Sequence, residues 1–251
     1  MADASSRFLP GLPADLIGQL LSRSPGSEFA TGKFDNPDSS AALAANAFGR
    51  FLERPRDLPS LPGVPMGAPE EVTIEAELRM PWSGGTHPWL DACVTTSTTL
   101  VGIESKRYEP FRPGKTTVFS DAYEKRDWGP GLARTTALRR RLIASEAAFR
   151  HLDAAQLVKH IYGLRTQGLK RAKGAVLVYL YAEPPFWSSG KPVDPAAIVR
   201  HREEVARFAA EVRGDDVVFV ALRWSEVLAQ WRSIRVLAQH AKALEDRFGT
   251  L

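Results

Sequence analysis

The apolar run Leu100-Val101-Gly102-Ile103 leads straight into Glu104-Ser105-Lys106, and at that junction the sequence gathers groups able to do chemistry. Side chains two apart on a strand point the same way, so Glu104 and Lys106 project together. Asp91 stands near the start of the preceding apolar stretch. In an antiparallel hairpin turning around Ser97-Thr98, the start of one strand lies beside the end of the next, which brings Asp91 to the same pair. Two carboxylates this close repel unless a cation lies between them, and their hard oxygens suit Mg2+ or Mn2+ better than zinc. A metal held by Asp91 and Glu104 would lower the pKa of a bound water and offset charge on a phosphodiester, while Lys106 orients the water or shares the charge. The competing reading is a cross-strand salt bridge of small energetic worth. About one Glu/Asp-x-Lys triplet is expected by chance at this composition, so the weight rests on the elements around it.

Val72, Ile74, Ala76, Leu78 and Met80 alternate with Thr73, Glu75, Glu77 and Arg79, the period of a half-buried strand. Glu75 and Glu77 then share a face, and Glu77 is a candidate supporting acid. With Trp89–Thr96 and Leu100–Tyr108 this strand makes an antiparallel meander of three. Upstream, Asp38-Ser39-Ser40 supplies the cap of a helix reaching Leu52. Five prolines between Pro55 and Pro69 then exclude helix and central strand. Downstream the pattern predicts helices over Thr135–Phe149 and Ala154–Thr166, and a strand buried on both faces over Ala175–Tyr181. A helix over Pro195–Val212, a strand over Val217–Leu222 and helices from Ser225 to Phe248 complete the chain.

The order of elements, Asp91 and the Glu104-Ser105-Lys106 triplet resemble the PD-(D/E)xK nuclease superfamily, with Leu90 where the motif's name has proline. Gln156-Leu157, followed by Tyr162, looks like the Gln-Leu-x-x-Tyr-type motif of RecB-like nucleases, its tyrosine displaced. The resemblance spans roughly residues 39–182. It implies an α/β fold with a restriction-endonuclease-like α-βββ-α-β core, a mixed sheet flanked by helices, and extra C-terminal helices and strand. It also implies a Mg2+- or Mn2+-dependent nuclease acting on DNA, with Asp91, Glu104 and Lys106 catalytic, Asp91 and Glu104 binding metal, and Gln156 supporting. The superfamily's further acidic residue matches none of Glu28, Glu53 and Glu77 uniquely. The expected organisation is a single nuclease-like domain over 1–251, comprising a helical and Pro-rich part (1–69), a catalytic core (70–182) and an α/β extension (183–251).

The 251 residues carry 33 basic and 29 acidic side chains, a net +4 that favours anionic partners only mildly. Between Arg134 and Lys173, however, basic residues far outnumber acids. Arg139, Arg140, Arg141, Lys159, Lys170, Arg171 and Lys173 are therefore candidates for nucleic-acid contact, a solvated helix face being the alternative. The five histidines lack metal-ligand spacing, and no phosphate-binding glycine motif or GxSxG elbow is present. A lone cysteine, Cys93, excludes a disulfide framework or zinc ribbon and reads as a packing residue. A cytoplasmic setting and no membrane contact are expected, with a homodimer open. The rival readings are a catalytically silent DNA-binding module of the same fold, or an interaction protein using Trp82, Trp89, Trp128 and Trp187.

Overall fold

A computed structural model describes all residues except 1–6, 25–28, 30 and 113–117. Five strands form one sheet in sequence order: β1 (Pro69–Glu77), β2 (Trp89–Thr96), β3 (Thr99–Lys106), β4 (Gly174–Tyr181) and β5 (Val217–Arg223). β1, β2 and β3 are antiparallel, as their short connections require, whereas β4 joins β3 and β5 joins β4 in parallel. The fold is thus α/β with a mixed sheet and flanking helices, compatible with a restriction-endonuclease-like core.

Eight helices surround the sheet among the described residues: α1 (Ala14–Leu21), α2 (Ser40–Phe48), the short α3 (Ala122–Lys125), α4 (Ala133–Ile143), α5 (Ala154–Lys170), α6 (Pro195–Val212), α7 (Trp224–Ser233) and α8 (Ala238–Phe248). α1, α2, α7 and α8 cover one face, where Val101, Ile103 and Val178 meet Phe48, Trp224 and Trp231. α4, α5 and α6 cover the other, where Leu177 and Tyr179 meet Leu138, Ile161 and Phe208. β4 lies between both layers, and seven of its eight residues are buried, which explains its uninterrupted apolar sequence.

Boundaries depart from the sequence pattern where backbone geometry intervenes. Ser39 caps α2 as expected, its Oγ accepting the N–H of Ala42 at 3.1 Å, but the helix tightens to a 3-10 turn from Gly49 to Phe51. A Cβ on Gly49 would lie 2.6 Å from Ile17 Cδ1, so a larger residue there would push the Ile17 side chain of α1 aside. α4 stops at Ile143, six residues short of Phe149, just before Ser145 adopts a φ of +59°. α5 instead runs past Thr166 to Lys170. In the Pro-rich segment, Pro55–Asp57 forms a 3-10 turn and Pro69 opens the edge strand β1, where a missing N–H costs no ladder bond.

Candidate active site

β1 and β2 do not keep one face to one layer. Val72 and Ile74 pack in the core beneath α2 and α7, yet Ala76 and Leu78 belong to the core beneath α5. Glu75 sits at the changeover with a φ of +47°, a left-handed conformation that non-glycine residues rarely adopt. β2 makes the same change, since Ala92 belongs to the first core and Leu90 to the second, with Asp91 between them. The pairs Ile74↔Ala92 and Ala76↔Leu90 bracket Glu75 and Asp91, so the two acids stand opposite each other in the ladder. The strict alternation expected for β1, with Glu75 and Glu77 on one face, is broken at Glu75.

β2 pairs with β3 only as far as Ala92↔Ile103; beyond that β3 is held by β4, through Glu104↔Tyr179, Ser105↔Leu180 and Lys106↔Tyr181. The Ser105 N–H left free on the β2 side donates to Asp91 Oδ2 at 2.6 Å. Asp91 therefore reaches the end of β3 through its side chain, where the hairpin geometry places it. From beneath, the Trp224 indole at the start of α7 donates to Ser105 Oγ at 3.2 Å, and Arg107, next along, donates to the carbonyls of Pro37 and Phe248.

Glu104 is 2% exposed. Lys106 Nζ donates to Glu104 Oε1 at 2.5 Å, and His160 Nδ1, from α5, lies 3.4 Å from Glu104 Oε2. Glu109 stands on the other side of the lysine, accepting from Ser40 Oγ and, at 2.9 Å, from the Arg107 N–H. A cleft of about 510 Å3 opens over this group; Glu75, Asp91, Glu104, Lys106, Glu109 and Gln156 line it, with Lys33 and Arg112 also on its walls.

Burial, then the charge of Glu104, then that of Glu75 push the Asp91 carboxyl well above its ordinary value, and Lys106 and the Ser105 N–H offset this only in part. Burial works to lower the Lys106 ammonium, but Glu104, Glu109 and Asp91 outweigh it and hold the lysine above its usual range, so it stays charged. Burial likewise lowers His160, against the pull of Glu104, and keeps its ring neutral. Glu109 is held below the ordinary carboxylate value, because Lys106 and its two hydrogen bonds overcome the penalty of burial. The acids lining the cleft, Asp38, Glu75, Asp91, Glu104 and Glu109, outnumber its cations Lys33, Lys106 and Arg112, which is a charge imbalance a divalent cation relieves. Among the described residues no three His, Cys, Asp or Glu side chains form a ready cage. Mg2+ needs none, since it commonly binds one or two carboxylates and keeps waters for its other positions. The oxygen-only pair Asp91 and Glu104 fits that requirement.

The other sequence candidates are dispersed. Glu77 accepts from Arg79 Nε at 3.1 Å on the surface, and Glu75 takes the place at the cleft. Glu28 lies outside the described residues. Tyr162 is buried, stacked on Trp128 at 3.8 Å, its hydroxyl on Thr136. Arg139 is 3% exposed and donates to the Tyr123 carbonyl, so its charge is turned inward. Arg141 is paired with Glu211. Arg140 is exposed. Lys170, Arg171 and Lys173 precede β4, at the opposite end of the sheet from Lys106, about 23 Å away at 3.3 Å per strand residue. Lys173 there donates to the Ser97 carbonyl at 2.9 Å. Acids from the C-terminal third meet part of the basic cluster, so it does not form one face. Cys93 is buried, and burial pushes its thiol up to about 12, in keeping with packing rather than nucleophilic attack.

Sequence reading missed Glu75, Glu109 and His160. Glu75 had a signal in lying opposite Asp91 once the hairpins are drawn. His160 had one in following Gln156 by four on a helix. Glu109 follows the strand in a 3-10 turn, outside any periodic pattern.

A mixed sheet flanked by helices, with a buried carboxylate and lysine pair at the end of its β2–β3 hairpin, is compatible with a restriction-endonuclease-like core. Residues 20–249 match the family described as Restriction Endonuclease associating with ARP, and the chain belongs to that family. No curated protein and no solved structure matches it.

Proposed function

We propose that this protein is a Mg2+- or Mn2+-dependent phosphodiesterase of the PD-(D/E)xK type that cleaves DNA, with Asp91 and Glu104 as metal ligands and Lys106 as the catalytic cation. The observation that carries this reading is the cluster of Asp91, Glu104 and Lys106 on the wall of one cleft, with the acid surplus described above. The bound metal would supply a water of lowered pKa and charge to offset that of the phosphodiester. Lys106, charged and fixed by Glu104, is placed to share the negative charge that builds on the phosphoryl oxygens, where a preorganised cation contributes most. Ser105 N–H fixes the Asp91 carboxylate, and His160 backs Glu104 from α5. Lys33 and Arg112 on the cleft wall suit the phosphates flanking the scissile one. The family's description names association with ARP, and we extend that association to this chain as part of the same reading.

The test is cleavage of linear, circular and single-stranded DNA by purified protein with and without Mg2+ or Mn2+. Asp91→Ala and Glu104→Ala should each abolish cleavage while remaining folded by circular dichroism. Unchanged rates in both variants would remove this site from the reaction.

A further inference from the structure

A second groove, of about 740 Å3, runs beside the cleft and shares Trp89 and Gln156 with it. His160 lines the groove while its ring contacts Glu104, so one imidazole forms the partition between the two spaces. The volume falls in the range of roughly 300–1,000 Å3 typical of pockets that enclose a small organic ligand. Its walls are aromatic: Trp82 meets Tyr123 edge-on at 5.0 Å, and Trp89 adds a second indole.

It carries one lysine and one aspartate. Lys159 forms no ion pair with a carboxylate among the described residues, its ammonium instead lying 5.3 Å from the centre of the Phe119 ring. The acid in this groove, Asp153, already accepts from the Gln156 N–H at 2.9 Å as the cap of α5. A half-buried lysine that feels Asp153 but forms no salt bridge among the described residues, beside partly exposed indoles and next to the cleft, matches a ligand with a phosphate and a flat π-face.

We propose that this groove binds one unpaired nucleotide adjoining the scissile phosphate, its base against Trp82 and Trp89 and its phosphate on Lys159. A base stacked and paired in a duplex presents only its edges, so a nucleotide laid against an indole must be extruded or already single-stranded. The substrate would then be DNA with an unpaired base, a flap or a single-stranded junction beside the cut. This rests on the nuclease reading for the position of the cut, but not for nucleotide binding itself.

The experiment titrates full-length protein in chelator with deoxyadenosine 5′-monophosphate, deoxyribose 5-phosphate and inorganic phosphate, followed by tryptophan fluorescence and calorimetry. The base-bearing nucleotide should bind at least about fivefold tighter than the sugar phosphate, the lower end of what one stacked base contributes. Lys159→Gln should weaken it at least about fivefold with the melting temperature unchanged, and Trp82→Leu should erase the preference for the base. Oligonucleotides with one unpaired adenine should compete with the nucleotide better than the fully paired duplex. Equal binding with and without the base, indifference to Lys159→Gln, or equal competition by paired duplex would overturn the proposal. If no DNA is cleaved with any metal while base-selective binding persists, the nuclease reading fails and the groove stands; if cleavage requires Asp91 but base selectivity is absent, the reverse holds.

Discussion

Replacing Asp91 with asparagine should make the metal-free protein more stable while destroying the function it serves. Burial and the neighbouring charges of Glu104 and Glu75 hold the Asp91 carboxyl well above 3.8, so the fold resists its ionisation. A carboxyl whose pKa rises on folding gives stability that is complete below its unfolded value and is lost as pH rises through the folded one. Near neutral pH and above, wild type therefore carries a penalty of about 1.4 kcal/mol for each unit of elevation. Asparagine is neutral at every pH, has nearly the same shape, and keeps an oxygen for the Ser105 N–H. The variant should therefore melt above wild type in chelator, by about 2–4 °C for each kcal/mol of penalty relieved in a chain of this size. Divalent metal should invert the order. At ten times its dissociation constant, Mg2+ or Mn2+ adds about 1.4 kcal/mol to wild type, and the variant, lacking one ligand charge, should gain almost none. Differential scanning fluorimetry in chelator and then across a metal titration reads both effects. A variant less stable than wild type in chelator, or one lifted equally by metal, would show that the acids at this site neither repel each other nor await a cation.

Lys106→Met should lower the single-turnover rate at saturating enzyme by more than about tenfold, or about 1.4 kcal/mol of barrier. It should also cost about 3–5 kcal/mol of stability, because Glu104 would be left buried without its partner; the rate must be taken well below the melting temperature. Arg139→Met should leave the salt dependence of DNA binding unchanged, because the guanidinium is buried and spent on the Tyr123 carbonyl, which also accepts from the Trp128 indole N–H. Neutralising Lys33, Arg112 and Lys159 together should flatten that salt dependence, and neutralising Lys170, Arg171 and Lys173 should not. Burial lowers His240 to about 4 and His201 to about 3, so both fold as neutral rings. Their stability is complete above the unfolded value of 6.5 and is lost as pH falls below it. Urea denaturation between pH 6 and 4.5 should show a loss of up to about 1.4 kcal/mol per pH unit per histidine, with His240→Gln removing one share.

The meander, the buried strand β4 and helix α6 were legible because each is written in a period that one layer of packing enforces. The hairpin turn at Ser97-Thr98 carried Asp91 to Glu104 for the same reason. Glu75 was not legible as a site residue, since the changeover of β1 between cores depends on a positive φ at a residue type that seldom adopts one. The basic cluster misled because charge was counted along the chain. Arg139 turns inward on α4, and Glu211 and Asp216, distant in sequence, arrive beside Arg141 and Arg165. Lys170 to Lys173 fall at the far end of the sheet because the direction of β4 follows from a parallel pairing that no local pattern encodes.

The bonds from Trp224 to Ser105 and from Arg107 to the Phe248 carbonyl have a consequence for the order in which the protein is made. Asp91, Glu104 and Lys106 leave the ribosome long before the residues that buttress the strand they sit on. A nascent chain ending after β4 has every acid and the lysine, yet lacks the layer of α7 and α8 against which that strand packs. The cluster is secured only when the last helix docks. On the proposed nuclease reading, cleavage would await the docking of α7 and α8, and a product terminated after β4 would lack the Trp224 and Phe248 partners of Ser105 and Arg107.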